Sequence, residues 1–94
     1  DVGRVTHFEP VGESWELRIL APRELARFVA RKGSVAVNGV SLTVNAVEGD
    51  SFEVNLIAHT LAATTLRHLK PGEKVNLEVD LLARYIERLQ ETRQ

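Results

Sequence analysis

The sequence has no cysteine and no methionine. Without cysteine there is no disulfide, no thiolate nucleophile and no zinc–thiolate site, and the redox compartment is not written in the chain. The absence fits a cytoplasmic protein, as it fits others. Aromatic residues are scarce at 5 %, with one Trp, one Tyr and three Phe. Neither charge sign dominates: 12 basic and 13 acidic residues leave a formal net charge of −1. A nucleic-acid binder usually needs a basic surface and, for single strands, stacking aromatics, so this class is disfavoured. No apolar run approaches the roughly 20 residues of a membrane-spanning helix. The opening "DVGRVTHFEP" lacks both the apolar core of a signal peptide and an initiator Met. It reads as internal, as if cut from a longer chain.

Familiar catalytic patterns are missing too. Ser34 and Ser41 lie outside any G-x-S-x-G elbow. His7, His59 and His68 are far apart, and none shows metal-ligand spacing to another His or a carboxylate, so no metal site is expected.

What is present is a 94-residue chain, 44 % apolar and 27 % charged, enough for one domain with a modest core. "VGRVTHFEP" alternates weakly up to Pro10, and "VGE" follows as a turn. "SWELRIL" alternates with Trp15, Leu17 and Ile19 on one face. "PRELARFVARKG" reads as a helix opened by Pro22 at its first position and stopped by Gly33, with Leu25, Phe28 and Val29 inward. Asn38-Gly39 between two alternating runs is a hairpin signal. "EGD" predicts a second turn, "SFEVNLI" a strand with Phe52, Val54 and Leu56 inward, and "AHTLAATTL" a short helix or turn. After "KPGE", "KVNLEVD" reads as a last strand with Val75, Leu77 and Val79 inward. In the tail, Leu82, Tyr85, Ile86 and Leu89 form an apolar stripe at i, i+3, i+4 and i+7 behind an Asp80 cap. Short strands with turns between them predict a small closed barrel.

The stretch from 32 to 66 poses a question. Its solvent-prone strand positions carry Ser, Asn and Thr where a plain surface carries Lys and Glu. Thr43, Thr60, Thr64 and Thr65 have a bland reading, β-propensity and local capping. The sharper reading is a polar pocket for a flat heterocycle or a polyol.

Two ordered stretches, "KGSVAVNGVSLTVNAVEGDSFEVNLIAHTLAATTL" and "KPGEKVNLEVDLLARYIERL", together resemble the C-terminal barrel of the riboflavin synthases. A match of this length is far more specific than a short motif. The resemblance implies a mainly β fold, a six-stranded Greek-key closed barrel with short helices and a C-terminal helix. The barrel is expected over residues 1–80 with its first strand shortened, and an oligomerisation helix over 81–94. Members of this family carry two such barrels in one chain and assemble as trimers through that helix, here Leu82, Tyr85, Ile86 and Leu89. They dismutate two molecules of 6,7-dimethyl-8-ribityllumazine into riboflavin and a diaminopyrimidine by transferring a four-carbon unit, without metal or redox cofactor.

By the family pattern, Ser34, Val40, Ser41 and Thr43 line the ligand from one side, and Ala58, His59, Thr60, Thr64 and Thr65 from the other. The partners implied are a lumazine or flavin and the N-terminal barrel of the same or a neighbouring subunit, with no nucleic acid and no membrane. The segment that precedes the barrel in the family is reduced here to Asp1 at most, and Ser41 stands where the N-terminal barrel has Cys. This half is therefore expected to bind substrate, with no catalytic residue assigned in it and little turnover by itself. A non-catalytic lumazine or flavin carrier of the same fold is the alternative.

Overall fold

A computed structural model gives the architecture and describes residues 1–79 and Leu89. Six strands form: β1 Val2–Val11, β2 Ser14–Leu20, β3 Ser34–Val37, β4 Val40–Glu48, β5 Ser51–Ile57 and β6 Lys74–Val79. The segment α1 Arg23–Ala26 links β2 to β3. The segment α2 Ala58–Ala63 and a 3₁₀ turn at Thr65–His68 link β5 to β6. Of the predicted tail stripe, Leu82, Tyr85 and Ile86 lie outside the described residues, while Leu89 is described and exposed.

The strands close into a barrel in the order β1-β2-β5-β4-β3-β6. Every neighbouring pair is antiparallel. Consecutive β3, β4 and β5, with β6 returning beside β3, make a Greek key. Closure falls to β1 and β6, paired from Val2↔Asn76 to Arg4↔Lys74. Each described strand thereby has a paired neighbour on both sides along part of its length.

Alternation explains the interior. Successive side chains on a strand point to opposite faces, so Leu17 and Ile19, Val35 and Val37, Phe52, Val54 and Leu56, and Val75 and Leu77 all turn inward and are buried. Leu25 and Val29 from the first link, and Leu61, Leu66 and Leu69 from the second, join the same core. Val79, predicted inward, is only half-buried against it. Gly3 has a packing role on β1. A Cβ there would meet Leu77 Cδ1 at 2.5 Å and Ile19 Cγ2 at 3.0 Å.

Turns follow their residues. Asn38 and Gly39 both take positive φ, 49° and 84°, as a two-residue hairpin matched to strand twist requires. A bulge between Val5 and His7 shifts the β1 register against β2. Phe8 thereby packs against the core with Trp15, their ring centroids 5.0 Å apart, and His7 and Glu9 share the outer side with Glu16.

One element differs from expectation. The helix predicted over 22–33 is a single turn, Arg23–Ala26, and Pro22 precedes it rather than occupying its first position. Successive tight turns, Phe28 N–H to Leu25 O and Val29 N–H to Ala26 O, bury Leu25 and Val29 instead, while Phe28, also predicted inward, is only half-buried and outside the core. So short a helix has little stability of its own. The chain leaves it to pair with β4, through Lys32 N–H to Val44 O and Val44 N–H to Gly33 O. The left-handed residue of this exit is Lys32, φ 69°, not Gly33.

Candidate functional site

Because Val35 and Val37 face the core, Ser34 and Ala36 must face out, and β4 supplies their neighbours in the same sense. Ser34 pairs with Thr43 and Ala36 with Ser41, while Ala36 also pairs with Glu78 on β6. Ser34, Ser41 and Thr43 are all exposed. A groove of about 350 Å³ lies here, lined by Ser34, Val35, Ala36, Ser41, Glu78 and Val79. Half-buried Val40 packs against the core beside it. The β4–β5 ladder runs only from Val44↔Val54 to Glu48↔Ser51, so Val40–Thr43 are paired to β3 alone. The predicted first group of site residues is thus gathered on adjacent strand positions, with small side chains that leave the backbone approachable.

The second group sits on the segment that leaves β5 at Ile57 and does not line this groove. Ala58, His59 and Thr65 are exposed, and Thr60 is half-buried. Thr64 has a local task. Its hydroxyl donates to Thr60 O at 2.7 Å and accepts from Leu66 N–H at 3.3 Å, capping the 3₁₀ turn. Arg67 Nη1 donates to Thr64 O at 2.7 Å and Ala62 O at 3.3 Å, fastening the same bend. The bland reading of the Thr cluster therefore holds for the Thr64 hydroxyl.

A polar constellation missed in the sequence lies on the wall of β1, β2 and β5. Arg18 bridges Glu16 at 3.0 Å and Glu53 at 3.1 Å, and Asn45 donates to Glu53 at 2.8 Å. Hydrogen bonding with Glu53 raises the pKa of Glu16, helped by desolvation. The same bond, followed by Asn45, lowers that of Glu53. The two carboxyls titrate as a pair. Beside them His7 Nε2 meets Glu9 at 3.0 Å. One ligand atom each from His7, Glu9 and Glu16 lies within 4.8 Å of the others, a grouping that sequence spacing did not reveal. A groove of about 370 Å³ on this side includes Thr6, Arg18, Phe52 and Glu53. Its walls include the paired Arg18 and Glu53, whereas the β3–β4 groove offers the hydroxyls of Ser34 and Ser41. The cross-strand signal was readable only with the register known, since Glu16, Arg18 and Glu53 come from β2 and β5.

A family model described as the lumazine binding domain matches residues 1–80. The riboflavin synthase of Photobacterium phosphoreum is 47 % identical over 88 residues, covering 94 % of this chain and 40 % of that protein. The riboflavin synthase of Brucella abortus (strain 2308) is 53 % identical over 78 residues, covering 83 % and 39 %. The chain thus spans about two fifths of the length of these curated relatives. Among solved structures, LumP complexed with riboflavin matches with a TM-score of 0.77 and 31 % identity over 83 % of this chain and 42 % of that one. LumP complexed with flavin mononucleotide, at 23 % identity, TM-score 0.80, and 84 % and 45 % coverage, shows likeness of fold. A barrel in this strand order, a small-residue groove outside β3 and β4, and a family match over the whole barrel converge: the chain belongs to the lumazine-binding domain family.

Proposed function

We propose that this chain is the C-terminal half of a riboflavin synthase. It binds 6,7-dimethyl-8-ribityllumazine for dismutation to riboflavin, without metal or redox cofactor. The observation that carries this reading is the outward row of Ser34, Ala36 and Ser41 lining a groove, with Thr43 paired to Ser34 beside it, where ordinary surface strands carry charge. A flat ring can rest on Ala36 and Ser41, and hydroxyls that both donate and accept suit a ribityl chain. In this reading Val40 supports the floor, and Ala58, His59, Thr60 and Thr65 close the site from α2 and the 3₁₀ turn, whose bend Thr64 holds. Ser41 in place of a thiol makes this a binding half, and the transfer chemistry falls to the second barrel. The partners are that barrel and, through the 81–94 segment, two further subunits of a cytoplasmic trimer. Synthase relatives at 47 % and 53 % identity favour this over a carrier.

The test is a fluorescence titration of the chain with the lumazine and with riboflavin. Saturable binding is expected, weakened roughly fivefold by Thr43→Val, as for one lost hydrogen bond of about 1 kcal/mol. Unchanged affinity in a folded Ser41→Val/Thr43→Val variant would place the ligand elsewhere.

A further inference from the structure

We infer that Glu78 makes the β3–β4 groove selective for uncharged ribityl ligands over their phosphoesters. The inference rests on the ligand reading above and concerns which member of that class the groove prefers. Among the described residues that line it, Ser34, Val35, Ala36, Ser41 and Val79 are neutral and Glu78 alone is ionisable. Glu78, Ala36 and Ser41 form one row across β6, β3 and β4. Adjacent strands lie about 4.8 Å apart, so Glu78 and Ser41 stand roughly 10 Å from each other. With a ring resting on Ala36 and Ser41, Glu78 stands at the other end of the row, within reach of the ribityl chain.

The chemistry of the two ends differs. Ser41 can donate or accept, whereas ionised Glu78 only accepts. Ribityl hydroxyls are donors and suit it. A phosphate monoester is an acceptor bearing about −1.5 to −2 charges at pH 7, and is repelled. No cation forms an ion pair with Glu78 among the described residues to cancel this. The repulsion acts across an open groove where the Debye length is about 8 Å at physiological salt, so it is a few-fold effect that grows as salt is withdrawn. The barrel itself does not forbid a phosphoester, since LumP of the same fold is solved with flavin mononucleotide. The discrimination must therefore sit in side chains.

The test titrates the parent chain, Glu78→Gln and Glu73→Gln with riboflavin and with flavin mononucleotide. Glu73 is an exposed acid that does not line the groove. At about 20 mM salt the parent is expected to bind the phosphoester roughly fivefold more weakly than riboflavin, the gap narrowing at about 200 mM. Glu78→Gln should bring the ratio to about one at both salts, and Glu73→Gln should leave it at the parent value. Riboflavin binding with a ratio unmoved by Glu78→Gln overturns the inference alone. A folded parent chain that binds neither flavin overturns the ligand reading and the inference with it.

Discussion

On the wall of β1, β2 and β5 the outward positions carry His7, Glu9, Glu16, Arg18 and Glu53, with His7 paired to Glu9 along β1 and Arg18 joining Glu16 on its own strand to Glu53 on β5. On the wall of β3, β4 and β6 the equivalent positions carry Ser34, Ala36, Ser41 and Thr43, with Glu78 at the margin. Both walls obey the same alternation over one core. The first has long ladders, Val11↔Ser14 back to Arg4↔Leu20 and Ser14↔Ile57 to Leu20↔Ser51. The second has short ones, Ser34↔Thr43 to Val37↔Val40 and Val35↔Val79 to Val37↔Leu77. The lesson is a division of labour. Long pairing and paired charge make a scaffold, and a short surface with Glu78 as its one charge in the groove leaves hydroxyls exposed, which is where the proposed ligand would rest.

The sharpest way to break the comparison is through the shared core. Leu17 on β2 is fully buried. Leu17→Ala should cost about 2–5 kcal/mol from lost burial and residual cavity, a large part of the 5–15 kcal/mol typical of a domain. Because the barrel is closed, urea unfolding should remain a single transition at every probe, shifted to lower denaturant. A separate early transition confined to Trp15 fluorescence would show the scaffold wall melting independently.

A smaller effect is expected at the seam where the walls meet. Gly3→Ala places a methyl 2.5 Å from Leu77 Cδ1 and 3.0 Å from Leu20 O. Side chains can yield but backbone cannot easily, and overpacking of this kind costs about 1–3 kcal/mol. Thermal unfolding checks it. An unchanged midpoint would mean that the β1–β6 closure is looser than its pairing.

The smallest effect lies in the charged network. Glu16 has a raised folded-state pKa, chiefly through Glu53. Its contribution to stability is present below its unfolded pKa and is lost as pH rises through the folded value. Glu53, lowered chiefly by Glu16, contributes above its unfolded pKa and loses that contribution as pH falls through the folded value. Glu16→Gln keeps a donor toward Glu53 and removes the raised group. The variant should therefore lose less stability than the parent as pH rises through and just above the ordinary carboxylate range. Parallel pH–stability curves for the two proteins would show that the carboxyl pair shares no proton.

Much of this was legible along the chain. Leu17 and Ile19, Phe52, Val54 and Leu56, and Val75 and Leu77 announce their inward faces by period-two spacing, and Asn38-Gly39 announces its hairpin. The outward facing of Ser34, Ser41 and Thr43 was legible too, since alternation forces these hydroxyls out of the core. The short α1 was not, because the spacing of Leu25, Phe28 and Val29 suits a helix and a run of turns equally. Nor was the network of Glu16, Arg18, Glu53 and Asn45, whose members come from three strands.

The sequence by itself determined strand positions, facing and turns, because these follow from the pleat and from backbone preferences within a few residues. Its long ordered motif also determined the family. Tertiary structure alone decided that β1 closes on β6, that the 22–33 segment yields its helix to pairing with β4, and which polar groups become neighbours. Those outcomes depend on hydrogen bonds and burial between residues distant in the chain, whose energies are set by register and exist only once the barrel has closed.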